Sequence, residues 1–453
     1  MDFDFALPAE GLDAVAEWAK ETAGRHVLLD PETRTARVLF RDGMVADFAP
    51  FRAATLVGDL RRRDFTVNAI AVELGPLMRE APLTLLDPAG GREDLARGLI
   101  RWASARSLHD DPLRMLRAFR FVAAEGFTIE PNTLRDIAEN APLLRTAARE
   151  RVREEFFRIL SCPRSAAVLR ALDGVRLLET FLPELSALKG APQNEFHHLD
   201  VWEHTLEAVR RFEEHPLPDE LSDFGADIAA YLDTKVGQGI SYRALVKFGL
   251  LYHDVAKPET RSEDDFGRVR FFGHERTGAE TVHRAARRLR LSNRLCEAVR
   301  TLVRQHLRTM HLAATAGERP SRRALRRFLL HTGREWLAVL LLSLADMEAA
   351  RGPARTESQR RRTRALAREL FLLHRAEMSP GTQPQRLLTG NDIKELLRIR
   401  EGREIGRLLR LLDEAQEAGD VRVREDAVRY VRALHAKATR KNAPDRPRKE
   451  DAT

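Results

Sequence analysis

Apolar and polar residues alternate with a period of two only near the start of the chain. The segments are Asp2-Phe3-Asp4-Phe5, His26-Val27-Leu28-Leu29, Ala36-Arg37-Val38-Leu39-Phe40 and Val45-Ala46-Asp47-Phe48. Such alternation predicts half-buried strands, and Asp30-Pro31 and Asp42-Gly43 supply turns between them. Beyond Ala105 almost no alternation survives. From Pro112 onward, apolar residues recur at helical spacing, as at Leu113, Leu116, Phe119 and Val122, or at Leu408, Leu409, Leu411 and Leu412. The pattern predicts an α+β chain: a small mixed head followed by a long all-α body. Gly190-Ala191-Pro192, Arg351-Gly352-Pro353 and the stretch Met378-Ser379-Pro380-Gly381-Thr382-Gln383-Pro384 read as loops between parts. From Lys437 the chain mixes basic residues with Pro, Asn and Asp without periodicity, which predicts a disordered basic tail.

Size and charge sharpen this picture modestly. A chain of 453 residues is too long for one core, so about two to four domains are expected. Lys and Arg number 76 against 68 Asp and Glu, a net +8 that suits a polyanion such as nucleic acid but also an ordinary solvated basic surface. The two cysteines, Cys162 and Cys296, are far apart and offer neither a disulfide framework nor a thiolate metal site. The start, MDFDFALPAE, has no signal-peptide pattern, and no apolar run reaches membrane-spanning length. A soluble, cytoplasmic protein without a membrane partner is expected.

The head carries the first candidate chemistry. On a strand, Asp2 and Asp4 share one face while Phe3 and Phe5 take the other, so two carboxylates converge where a hard divalent cation would bind. Asp47 is a third carboxylate in an otherwise apolar strand, costly there unless a cation meets it. Taken alone, Asp-x-Asp is equally a solvated strand edge. Its company changes the weighing. Gly58-Asp59-Leu60-Arg61-Arg62-Arg63-Asp64-Phe65-Thr66-Val67-Asn68-Ala69 follows, then Leu86-Asp87-Pro88-Ala89-Gly90-Gly91-Arg92-Glu93-Asp94-Leu95, then Asp110-Asp111-Pro112-Leu113-Arg114-Met115-Leu116-Arg117-Ala118-Phe119-Arg120-Phe121.

In this order the segments resemble the class II tRNA nucleotidyltransferase and bacterial poly(A) polymerase family, whose head carries DxD, RRDFTxNA, DPxGGxxDL and EDPxRxLRAxRF. The resemblance implies that Asp2 and Asp4 bind Mg²⁺, with Asp47 the third catalytic carboxylate. It implies that Arg62, Arg63, Asp64 and Asn68 shape the nucleotide pocket, and that Asp111 and Arg114 form a side-chain template for the incoming base. Asp111 can accept from an exocyclic amine and Arg114 can donate, so the pair suits cytosine or adenine. Asp111 equally suits an N-cap for a helix with Pro112 in its first position. Arg117 and Arg120 continue the Arg114 stripe as phosphate contacts. Two departures stand out: Asp110 replaces the usual Glu, and Met1 directly precedes Asp2 where family members carry a Gly-Gly-containing loop. The latter implies a start site placed too late or a truncated chain.

A second constellation lies in the body: His204, the dipeptide His253-Asp254, His274, His306 and Asp346, each on or beside an apolar helical run. A lone His there is an ordinary core residue. The order H, HD, H, H, D resembles the HD phosphohydrolase superfamily. That resemblance implies a first shell of His204, His253, Asp254 and Asp346, with His274 and His306 holding a second ion or a phosphate and Lys257 contacting a phosphate oxygen. Mixed imidazole and carboxylate ligands suit a transition metal such as Mn²⁺, Ni²⁺, Fe or Zn²⁺. Segments around Thr389-Gly390-Asn391-Asp392, Ile405-Gly406-Arg407 and Arg424-Glu425-Asp426-Ala427 resemble the C-terminal part of the same family.

Together the resemblances imply a head over residues 1–122, a helical neck binding RNA and nucleotide over 123–189, an HD domain over 190–378, a C-terminal tRNA-binding segment over 379–436 and the tail over 437–453. They imply addition of C and/or A to the 3′ end of tRNA from CTP and ATP, with no obligate protein partner. Poly(A) synthesis, or hydrolysis of nucleotide or RNA phosphate ends by the HD part, are the alternatives.

Overall fold

The computed structural model describes residues 2–30, 34–79, 82, 84–214, 217–315, 320–378, 387–399, 402–417 and 420–441. The chain divides into two compact units, 1–183 and 184–453, with the division falling before the expected boundary at 189.

In the first unit four strands form one sheet in the order β1 (Asp2–Leu7), β4 (Val45–Pro50), β3 (Thr35–Leu39) and β2 (Arg25–Asp30). β1 runs parallel to β4, and the other pairs are antiparallel. Parallel strands cannot be joined by a tight turn, and helix Asp13–Glu21 lies in the connection that follows β1. Val15 and Ala19 of that helix pack with Leu12, Ala36, Val38, Ala46 and Phe48 into one core, with Phe5 beside it. Phe5 stacks on Phe48 at 4.9 Å between ring centroids. The period of two thus places every large ring on the helix side and leaves the opposite face to the carboxylates. Helices Arg114–Glu125, Arg149–Ser161 and Ser165–Gly174 build the remainder of this unit around Met115, Phe119, Phe156 and Leu169.

The second unit is almost wholly helical. Its centre is helix Trp336–Ala349, of which nearly every residue is buried. The stretch Arg322–Ala349 passes for a membrane span by length and composition, yet its most apolar window is 72% buried inside the protein, as expected of a core helix. Helices Val201–Glu214, Tyr242–Tyr252 and Asn293–Gln305 pack against it, and His274–Arg288 packs on Asn293–Gln305. Short hairpins at Lys235–Ser241 and Ser262–Arg270 are the period-two exceptions that the body's helical pattern hides.

At the C-terminus, helices Gly390–Leu397, Arg403–Glu417 and Arg424–Lys441 share a core of Leu388, Ile393, Leu408, Leu412, Ala427 and Val431. The Thr389-to-Asp392 segment is a capping box: the Asp392 amide donates to Thr389 Oγ1 at 3.2 Å and the Thr389 amide to Asp392 Oδ2 at 2.6 Å. The last helix continues to Lys441, so the expected disorder from Lys437 begins too early, and residues 442–453 lie outside the described residues. Residues 379–384 of the expected loop, and 385–386 after it, also lie outside them.

Candidate functional site

Sheet register decides how the head's carboxylates meet. Asp4 of β1 stands directly opposite Asp47 of β4, and paired positions on parallel neighbours present their side chains to one face about 4.8 Å apart. Asp4 is exposed; the side chain of Asp2, opposite Val45, lies outside the described side chains. Asp47 does meet a cation. Arg37, its register partner on β3, donates from Nε to Oδ1 and from a terminal nitrogen to Oδ2, both at 2.7 Å. Two carboxylates and a bidentate arginine therefore line one row across the open face of the sheet.

The arginine-rich segment forms a tight loop held from beneath. Asp64 is buried, and its Oδ1 accepts from the Phe65 amide at 2.9 Å and from Asn68 Nδ2 at 3.0 Å. Its Oδ2 accepts from Arg117 Nε at 2.9 Å and from a terminal Arg117 nitrogen at 2.6 Å. Burial would raise the Asp64 pKa, but Arg117, Asn68 and the Phe65 amide hold it below the usual carboxylate range. Phe65 stacks on Trp102 at 5.3 Å and forms a β-bridge with it, fixing the loop to the segment after Ile100. Arg62 is exposed and bonds the carbonyl of Arg52, while Arg63 pairs with the buried Asp59 at 3.0 Å.

The glycine-rich motif is the loop's second support. Gly90 adopts a left-handed conformation at φ 76°, and Asp87 caps the following helix, accepting from the amides of Gly91 at 2.7 Å and Arg92 at 3.0 Å. Asp94 accepts from the Thr66 hydroxyl at 2.6 Å and pairs with Arg101 at 3.1 Å. A Cβ on Gly91 would lie 2.0 Å from the Thr66 carbonyl oxygen. Gly91→Ala must push main chain apart, and a stability loss of at least about 2 kcal/mol in urea titration is expected, with a loss of nucleotide incorporation as the loop shifts.

The arginine stripe departs from the expectation of phosphate contacts. Arg114 is buried, and its guanidinium donates to the carbonyls of Arg62 at 2.9 Å, Ser107 at 3.0 Å and Arg63 at 3.2 Å. Arg117 is occupied by Asp64, and Arg120 pairs with Glu155 at 3.3 Å. Buried carboxylates at 64 and 155 need counter-charges, and these arginines supply them. Asp111 is partly exposed; its Oδ1 accepts from the Leu113 amide at 3.1 Å and its Oδ2 from Arg151 at 2.7 Å. The helix itself begins at Arg114, later than a Pro112 start. Asp111 thus organises the turn into the helix while its carboxylate reaches the surface.

In the second unit all six residues of the other constellation come together, and all are buried. His204 Nε2 is 2.9 Å from Asp346 Oδ1 and 3.6 Å from Asp254 Oδ2. His253 Nε2 is 3.1 Å from Asp254 Oδ2 and 3.5 Å from Asp346 Oδ1. His274 and His306 approach the other oxygen of Asp254, at 3.3 Å and 3.8 Å. Asp254 therefore bridges two groups, His204 with His253 and Asp346 on one side, His274 with His306 on the other, and within each group the ligand atoms lie within 4.8 Å of one another.

The residues fit a metal centre on their own hydrogen bonding. Nδ1 of His253, His274 and His306 each lies 2.7 Å from the carbonyl three residues earlier, of Leu250, Phe271 and Val303. A carbonyl only accepts, so each of these Nδ1 atoms carries a proton and Nε2 is the ring nitrogen turned toward the cluster. The Nε2 atoms of His204 and His253 face each other at 3.3 Å, as do those of His274 and His306. Ring nitrogens facing each other beside carboxylate oxygens suit a positive charge between them, whether a proton or a metal ion. Burial lowers the His253 pKa, but Asp254 and Asp346 outweigh it and carry it up to about 10; burial with His274 and His253 presses His306 down to about 3. The cluster thus favours positive charge on the side where the carboxylates converge.

Sequence reasoning missed His197 and Gln193. His197 packs edge-on against His204 at 4.5 Å between centroids. Lys257 Nζ is 2.7 Å from Asp254, 2.6 Å from Gln193 Oε1 and 3.4 Å from His197 Nε2. Gln193 and His197 lie in an irregular segment without periodicity, where no pattern marks them.

A strand-borne carboxylate row and an arginine-rich loop in the first unit, with a buried His/Asp cluster in a helical second unit, are the features to set beside known proteins. Residues 24–101 match the family model of the poly(A) polymerase head domain, 126–189 that of the probable RNA and SrmB-binding site of polymerase A, and 223–351 that of the HD domain. The chain is 36% identical to an A-adding tRNA nucleotidyltransferase of Deinococcus radiodurans, over 95% of this chain and 90% of the relative. It is 34% identical to a CC-adding tRNA nucleotidyltransferase of Thermus thermophilus, over 95% and 88%. Among solved structures, a Thermotoga maritima CCA-adding enzyme complexed with tRNA matches with a TM-score of 0.55 at 20% identity, covering 96% of this chain and 87% of that one. The chain belongs to the tRNA nucleotidyltransferase family, as an enzyme with a polymerase-type head and a fused HD domain. Divalent metal ions belong to the chemistry of both parts.

Proposed function

We propose that the protein adds C and/or A to the 3′ end of tRNA in the cytoplasm, taking the nucleotides from CTP and ATP. The observation that carries this reading is the in-register pair Asp4 and Asp47 on the open face of the head sheet, the arrangement a Mg²⁺ ion needs. Asp2 would be a further ligand. The ion would lower the pKa of the attacking tRNA hydroxyl and neutralise charge on the triphosphate. Arg62 and Asn68, exposed on the loop that Asp64 and Arg117 hold, would meet ribose and phosphate, with Arg63 braced on Asp59. Asp111 would accept from the exocyclic amine of cytosine or adenine. Arg114 would act from behind, fixing the Arg62 and Arg63 carbonyls, and Arg117 and Arg120 would hold the frame. Relatives named for A addition and for CC addition match over nearly the whole chain, which supports the C-or-A limit and leaves both forms within the proposal. The test is incorporation of single nucleotides into tRNA lacking its 3′-terminal CCA: CTP or ATP should be used and UTP and GTP refused, while equal use of all four would overturn the reading.

A second reading is favoured by the bridging position of Asp254. Two adjacent ion sites sharing one carboxylate suit hydrolysis of a phosphoester by a metal-activated water. His204, His253, Asp254 and Asp346 would hold one transition metal ion, and Asp254, His274 and His306 a second.

A further inference from the structure

Arg355 lies just beyond the stretch matched by the HD family model and has no role in either proposal above. It is partly buried, and its surroundings are unusual for a guanidinium. Its Nε is buried without a hydrogen-bond partner. One terminal nitrogen touches the Met310 sulfur at 3.6 Å, and the guanidinium carbon sits 5.6 Å from the centre of the Phe196 ring. Among the described residues no carboxylate comes within ion-pair distance of it. Arg117 and Arg364, also partly buried, are matched by Asp64 and by Glu348. A charge taken from water without an anionic partner is costly and is retained where an anion arrives.

The position of Arg355 says where that anion would be. Phe196 precedes His197, whose ring packs on the cluster residue His204. Met310 lies four residues beyond His306, on the helix that starts at Arg308. Burial depresses the Arg355 pKa, and the main attraction opposing that is Asp346, itself in the cluster. The segment is held there by main chain: the Gly352 amide donates to the Phe196 carbonyl at 3.0 Å and the Ala354 amide to that of Glu195 at 3.2 Å. A Cβ on Gly352 would lie 2.3 Å from the Glu195 carbonyl oxygen, so only glycine permits this approach. Arg360 is a neighbouring cation, and Lys257 approaches the same 193–197 segment through Gln193 and His197.

We propose that Arg355 is a phosphate clamp of the HD centre, donating its free Nε and terminal N–H groups to a non-bridging oxygen of a phosphoester whose phosphorus lies over the histidine–aspartate cluster. This rests on reading the cluster as a metal centre for phosphate chemistry. Arginine suits the task because its planar fork matches a phosphate face, and its stacking on Phe196 fixes that plane in advance. The bound phosphate would supply the anionic partner that the protein itself withholds. The chemistry is common to a nucleotide and to an RNA end.

The experiment uses the full chain and Arg355→Met, which fits a site already lined by methionine and phenylalanine, together with Arg355→Lys. Binding of inorganic phosphate, AMP and a short RNA with a 3′-phosphate is measured calorimetrically, with and without added Mn²⁺, and metal content is determined for each sample. Arg355→Met is expected to bind phosphate at least about tenfold more weakly, with Arg355→Lys between it and wild type. Metal content should stay the same and the melting temperature should hold or rise, because no ion pair is lost. Weakening for AMP alone or for the RNA alone supports the clamp and assigns its substrate. Affinities within twofold of wild type for all three probes, or a fall in melting temperature shared by both variants, would overturn it. A wild-type protein that takes up no metal would instead remove the metal reading, and the Arg355→Met ratio measured without Mn²⁺ would still decide the clamp.

Discussion

Asp4→Asn is expected to reduce nucleotide incorporation by at least about 1,000-fold, equivalent to roughly 4 kcal/mol of transition-state stabilisation. Asp4 is an exposed carboxylate opposite Asp47, and its apolar neighbours Phe3 and Phe5 belong to the other face of β1. Removing the charge therefore disturbs no packing and relieves a like-charge pair across the sheet. Melting temperature and tRNA affinity should be unchanged, since basic residues and not these carboxylates hold a polyanion. Incorporation within tenfold of wild type would remove Asp4 from the ion site. Arg37 sharpens the point: it neutralises Asp47, so the net negative charge that attracts a cation depends on Asp4 and its strand neighbour.

The second large effect is expected at the other centre. His253→Ala combined with Asp254→Ala should abolish retention of a transition metal, from roughly one or two ions per chain to none, by elemental analysis after dialysis. Asp254 serves both ion groups, so both should be lost together. Nucleotide incorporation should survive, because the carboxylates of the head come from strands of the first unit and supply no ligand to the cluster. Equal metal content in wild type and variant would return the six residues to a purely structural role. Lys257 needs a control: losing Asp254 strips it of an ion pair at 2.7 Å, and Lys257→Met in the same background restores the charge balance.

Much of this was legible in the sequence where chemistry repeats with the period of an element. Alternation placed the four strands and put Asp4 on the face away from Phe5, and the sheet bears this out. The order of histidines and aspartates anticipated one cluster, although its members are spread from residue 204 to 346; that all six are buried is seen only in the fold. Pairing across elements left no such trace. That Arg37 meets Asp47 depends on strand register, which the alternation of either strand alone does not specify. Arg114, Arg117 and Arg120 look like a solvated or phosphate-facing stripe because spacing is blind to the buried carboxylates of Asp64 and Glu155 that turn two of them inward. Gly91 and Gly352 read as turn residues; only three dimensions show a carbonyl where each Cβ would stand. Thr389 and Asp392, by contrast, carried a capping-box signal that could have been read directly.

Product length tests the central claim most directly. The purified chain is incubated with Mg²⁺, CTP and ATP and with tRNAs ending before the first C, after one C or after both, and the 3′ ends are sequenced over time. The expected products end within the CCA triplet, through C addition, A addition or both, and extension stops there in wild type and is absent in Asp4→Asn. Long runs of A, incorporation of U or G, or extension that persists in Asp4→Asn would contradict the account.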